Sequence, residues 1–220
     1  MMGYHLCFDL SLYYGVPIDV ESGLLKVIAR LTASVFLMLI GICFIISWER
    51  TAPDQRLWKY GKRSLMILAG GMIVTLVTWL IDPETYVIFG ILHLIGVATV
   101  IQLFVRPLKQ WNVLLGMIVL LIGFVLPNGG VSTALLLPFG IMSRGFVSVD
   151  YYPLLPWLGP ILIGMSLGDA FYIPERRSFL SVLENIRRPR WLLWIGRKSL
   201  PLYFIHQPII LLLLWILLGR

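Results

Sequence analysis

The sequence predicts an all-α, polytopic integral membrane protein, and three observations carry that prediction. Apolar residues make up 59% of the chain and charged residues only 13%, far from a soluble globular balance. Uncharged apolar runs of bilayer length recur along it. The positive charges between those runs fall in alternate loops. In hydrocarbon a segment must satisfy its own backbone hydrogen bonds, so apolar runs of about 20 residues read as helices.

Five runs have that length: 31–48, 64–81, 86–105, 151–168 and 199–218. A shorter sixth, 111–126, can cross where the bilayer thins. The reading is about six full transmembrane helices plus an N-terminal partial helix, in one domain over 1–220 with no room for a separate soluble module. Residues 1–14, MMGYHLCFDLSLYY, look like the end of a helix that begins before Met1. At about 1.5 Å per residue they are too short to cross by themselves.

Net charge is +7, yet its placement excludes a nucleic-acid surface. Arg50, Arg56, Lys59, Lys62 and Arg63 share one loop, Arg106 and Lys109 another, and Arg176, Arg177, Arg187, Arg188, Arg190, Arg197 and Lys198 a third. These alternate loops lie on one side, which the positive-inside rule makes cytoplasmic. A prokaryotic plasma membrane is the expected location. Asp82-Pro83-Glu84 closes an acidic outer turn, and 127–150 is a Gly/Pro-punctuated outer segment. Its apolar piece, 131–143, is too short to span and contains Pro138, so it reads as a re-entrant or lid-like element. Gly164 and Gly168 form a GxxxG step, which usually marks close helix packing. Cys7 and Cys43 read as buried free thiols.

All three histidines sit in apolar segments, where an ionisable residue is a functional candidate. His5 and Asp9 are four apart and share a helix face, so the carboxylate can orient the imidazole as a general base; equally, the pair can seal a helix end. His93 lies between Gly90 and Gly96 and can simply bond a neighbouring helix. His206, followed by Gln207 and Pro208, can cap freed backbone groups or do chemistry. The three histidines are too scattered to argue for a metal site.

Arg144, Asp150, Tyr151, Tyr152 and Trp157 suit an outer mouth that accepts a polyhydroxylated molecule. Lys62, Arg63, Arg197 and Lys198 can serve topology and anionic lipids, or hold the phosphates of a nucleotide-like donor. Membrane lipids are the expected partners, and a homodimer is compatible with the sequence.

Four strings in order add a family resemblance: HLCFDL at 5–10, FGILHLIG at 89–96, DYYPLLPW at 150–157, and GRKSL at 196–200 leading to Tyr203 and His206-Gln207-Pro208. Together they resemble the membrane-bound sugar acyltransferases related to heparan-alpha-glucosaminide N-acetyltransferase, small prokaryotic type, and more distantly the acyltransferase-3 superfamily. The resemblance implies transfer of an acyl group, acetyl above all, from cytoplasmic acyl-CoA to a sugar amine or hydroxyl at the outer face. Acyl-CoA is then a co-substrate, and no bound cofactor is needed because a thioester is already activated.

His5 matches the histidine thought to act as base in acyltransferase-3 proteins. The arginine that precedes it by eleven residues there would fall before Met1, which again places the start of the first helix upstream. His93 and His206 would line the same cavity. The rival expectations are a small transporter or flippase-like protein for a sugar- or lipid-linked substrate, and an inactive truncated homologue.

Overall fold

The computed structural model describes residues 2–20, 22–126, 134–142, 145–172 and 189–219. Among these are eight α-helices: α1 (Met2–Tyr14), α2 (Gly23–Glu49), α3 (Arg56–Ile81), α4 (Ile91–Val105), α5 (Asn112–Val125), α6 (Leu154–Tyr172), α7 (Arg190–Arg197) and α8 (Ser199–Leu218). No strand occurs among the described residues, as expected for an all-α membrane chain. By length and composition four segments can cross a membrane: 23–49, 53–81, 91–125 and 154–172.

The third of these holds two expected spans. Lys109 has φ 48°, a left-handed conformation that interrupts the short 3-10 turn Arg106–Trp111 between α4 and α5. The packing shows that the chain reverses there. α4 runs with α6, since Ile91 bonds Asp150 and Arg106 bonds Asp169. α5 runs against α6: a Cβ on Gly116 would lie 2.9 Å from the Ile163 side chain, and one on Gly123 would lie 2.8 Å from Pro156. α4 and α5 are therefore a hairpin of two helices, each about 20 Å long.

The chain divides into two compact units, Ser34–Leu180 and Met1–Ala33 with Ser181–Arg220. In the first, the later part of α2 runs alongside α6. A Cβ on Gly164 would overlap the backbone of Met38, one on Gly41 would overlap the Ile161 carbonyl, and Gly168 rests on Ile45. Only glycine allows this close backbone approach, so the Gly164–Gly168 step is a packing face. α3 lies antiparallel to α4, with the Ser64 hydroxyl donating to the Gly96 carbonyl at 2.8 Å. Leu37, Ile45, Leu94, Ile161, Leu162 and Met165 are fully buried at the centre of this unit.

In the second unit the loop after α1 folds back on it: Ser11 Oγ donates to the Ile18 carbonyl at 2.9 Å. Residues 127–133 and 143–144 of the outer segment lie outside the described residues. Between them is a short 3-10 helix, Ala134–Phe139, with Pro138 inside it. Cys43, expected to be buried, is exposed on α2, and Cys7 is half-buried. A thiol behaves as a small hydrophobe, so a lipid-facing position suits it as well as a protein core does.

Candidate functional site

The unit containing α1 and α8 gathers four of the residues singled out from sequence. His5 and Asp9 project from α1, one turn apart, and His206 and Gln207 from α8. The imidazoles of His5 and His206 lie 5.0 Å apart between centroids, tilted by 58°. Asp9 is wholly buried and His206 is buried. Gln207 Nε2 donates to both Asp9 oxygens, at 2.8 and 2.9 Å. A buried carboxylate demands donors, and an amide supplies them without adding a charge. Tyr4 stands edge-on to His5 at 6.1 Å. The expectation that Asp9 orients His5 thus meets an arrangement in which the Asp9 carboxylate is held by Gln207 and His5 faces His206.

The unit containing α3–α6 holds a second group at the start of α4. His93 occupies the third position of α4, and its Nδ1 accepts the Gly90 N–H at 3.3 Å. That bond leaves the neutral ring's proton on Nε2, which is buried and has no partner among the described residues. The ring is fixed by Phe89 at 5.7 Å. On its other side Gly71 of α3 approaches so closely that a Cβ there would stand 3.0 Å from the ring. Asp150 lies against Gly90, and its Oδ2 accepts the Ile91 N–H at 3.1 Å, acting as a cap from a distant segment. Although the residue is only half-buried overall, burial of its carboxyl raises the pKa to about 6, offset in part by the Ile91 bond.

The segment around Asp150 is pinned along the loop before α4. Val149 N–H donates to the Thr85 carbonyl and Tyr152 N–H to that of Phe89, each at 2.9 Å. Tyr152 and Trp157 rings lie 4.7 Å apart. The Tyr151 hydroxyl donates to the Leu137 carbonyl at 2.6 Å, so that phenol ties down the 134–139 helix.

Of the basic candidates, Lys62 and Arg63 are exposed on α3 and Lys198 is exposed between α7 and α8. Arg197 ends α7, and Arg144 lies outside the described residues.

A charged cluster missed in the sequence lies at the other end of the α3–α6 unit. Arg106, buried at the end of α4, bonds Glu49 of α2 at 2.8 Å and Asp169 of α6 at 3.2 Å. Sequence reasoning counted Arg106 only as a loop charge. Its signal was an ionisable Asp169 directly at the end of the apolar run 151–168, which needed a cation from elsewhere. Asn112, fully buried, donates to the carbonyls of Val105 and Lys109 at 3.0 Å each and holds the hairpin turn. Among the described residues no three His, Cys, Asp or Glu side chains converge as metal ligands.

Comparison with known proteins places these residues in a family. The family model described as "Heparan-alpha-glucosaminide N-acetyltransferase, catalytic" matches residues 1–208. No curated protein and no solved structure matches the chain.

Proposed function

This chain belongs to the heparan-alpha-glucosaminide N-acetyltransferase catalytic family, and from that premise we propose that it moves an acetyl group from acetyl-CoA to a sugar amine or hydroxyl, with His5 as general base. That it is a membrane acetyltransferase-type enzyme follows from the family and the apolar helices. The donor, the acceptor and the residue roles are the proposal. The observation that carries them is the group of His5, His206, Asp9 and Gln207, with Asp9 and His206 buried, in which two imidazoles meet beside a carboxylate.

The chemistry needs few parts. His5 takes the proton of the acceptor O–H or N–H as its lone pair attacks the thioester carbon. The C–S bond then breaks, and the thiolate leaves with that proton as CoA-SH. His206, 5.0 Å from His5, is placed to share the proton while it is held. Gln207 holds the Asp9 carboxylate in place beside the imidazoles.

Within the α3–α6 unit, the Nε2–H of His93 is a hydrogen-bond donor and Asp150 an acceptor of the kind a sugar hydroxyl needs. Tyr152 and Trp157 offer ring faces against which a sugar's C–H face packs. Lys62, Arg63, Arg197 and Lys198 serve as the cations for donor phosphates. The acceptor is reached from the outer face and the donor from the side of the basic loops.

The test is release of CoA from acetyl-CoA by purified protein in detergent, with and without glucosamine. Acceptor-dependent release supports the reading, and movement of a sugar across vesicles without CoA release contradicts it.

A further inference from the structure

The eight residues of α7, RWLLWIGR, separate apolar from charged side chains more sharply than any other described helix. At 100° per residue, Trp191, Leu192, Trp194 and Ile195 occupy one continuous face. Arg190 and Arg197, seven residues apart, fall together at the edge of that face beside Trp194, and Leu193 lies on the far side. Among the described residues this face is left largely open: Trp191 is 64% exposed and Trp194 58%. In water such a face is costly, at about 25 cal/mol per Å².

The helix is joined stiffly to the apolar helix α8. Lys198 N–H donates to the Trp194 carbonyl at 3.0 Å, and Leu202 N–H to the Lys198 carbonyl at 3.0 Å, so α7 passes into α8 over a single residue. α8 is 20 residues long with no charged residue. A tryptophan-rich basic turn at the end of such a helix lies at the level of the headgroups, where tryptophan prefers to sit.

We infer that α7 is an interfacial helix that binds anionic phospholipid, with Trp191 and Trp194 in the headgroup–acyl boundary and Arg190 on the lipid phosphates. Charge complementarity selects the occupant. Arg187, Arg188, Arg190, Arg197 and Lys198 concentrate five cations within twelve residues, with no acidic residue among them. An anionic leaflet attracts such a cluster, and a zwitterionic one does not. Because α7 continues into α8, the lipid also fixes the level of the helix that carries His206 and Gln207. This inference needs no acetyl transfer and meets the proposed function only at Arg197 and Lys198, where lipid phosphate and donor phosphate compete, so that the donor phosphates rest on Lys62 and Arg63 if lipid holds the other two.

The test uses the full chain in lipid nanodiscs of phosphatidylcholine, with or without phosphatidylglycerol. Trp191→Cys, in a background with Cys7→Ser and Cys43→Ser, carries an environment-sensitive fluorophore; Trp194→Cys is the second site. Nitroxide lipids labelled near the headgroup should quench either probe roughly 3-fold more than chain-end nitroxides or aqueous iodide, as expected at the interface. In lipid competition, phosphatidylglycerol should outcompete phosphatidylcholine at the probe, and Arg190→Gln should reduce that preference roughly 5-fold.

Strong iodide quenching, or quenching by chain-end nitroxide, overturns the interfacial placement. Equal response to both lipids overturns anionic selectivity. Displacement of the lipid from the probe by acetyl-CoA would assign the cations to a soluble phosphate ligand and also overturn the inference.

Discussion

Gln207 holds Asp9 through both carboxylate oxygens, at 2.8 and 2.9 Å, across 198 residues of sequence. Removing the amide leaves a fully buried carboxylate without its donor, at a cost of about 1–3 kcal/mol. Gln207→Leu should therefore lower the melting temperature in detergent and reduce acetyl transfer. Asp9→Asn keeps an acceptor oxygen for Gln207 while removing the charge. It should melt near wild type yet lose turnover if the charge supports the imidazoles; unchanged turnover would make Asp9 a structural residue only.

The Glu49–Arg106–Asp169 cluster gives a second expectation. Arg106 is the shared cation for two carboxylates, with Asp169 4% exposed. Arg106→Met strands a buried charge and should destabilise by about 3–5 kcal/mol, while Arg106→Met with Asp169→Leu should recover much of the loss. Thermal unfolding of wild type, Arg106→Met, Asp169→Leu and the double variant decides it, and additive losses in the double variant would show that the two residues are not coupled.

Asp150 should leave a pH signature. Its folded pKa, about 6, lies above the ordinary 3.8, so the folded form holds its proton more tightly than the unfolded chain. The stability this contributes is full below pH 4 and is lost as pH rises through about 6. Asp150→Asn removes the titration but keeps an acceptor for the Ile91 N–H. The melting temperature of Asp150→Asn minus that of wild type should rise between pH 4 and 6.5 and then level off. A flat difference across that range would contradict the burial of this carboxyl.

At the α2–α6 contact, Gly164 meets the Met38 backbone with no room for a side chain. Backbone cannot swing aside as a side chain does, so Gly164→Val should abolish folding or lower expression severely. Gly196→Val, where a Cβ meets nothing within 4 Å, is the control. Similar yields for the two would refute the close packing.

The helices were legible because each apolar run had to form one to satisfy its backbone in lipid. Gly164 and Gly168 were legible as a packing face for a similar local reason. The hairpin between α4 and α5 was readable from Arg106-Pro107 and Lys109, although α4 begins at Ile91 rather than Tyr86 because Asp150 caps it there. What the sequence hid was pairing over distance. Spacing put His5 and Asp9 on one helix face, but nothing local said that Gln207 would take the carboxylate and His206 would face His5. Arg106 was hidden for the same reason: in a loop it reads as topology, and only the meeting of three helix ends turns it into a buried ion cluster.

The most direct test of the central claim is CoA release from acetyl-CoA by the folded protein and its His5→Ala variant, with a sugar amine present. Loss of a general base lowers turnover by about 10²–10⁴-fold, so wild type should release CoA only with acceptor and His5→Ala should fall by at least about 100-fold while remaining helical. Equal release by both proteins would contradict His5 as the base.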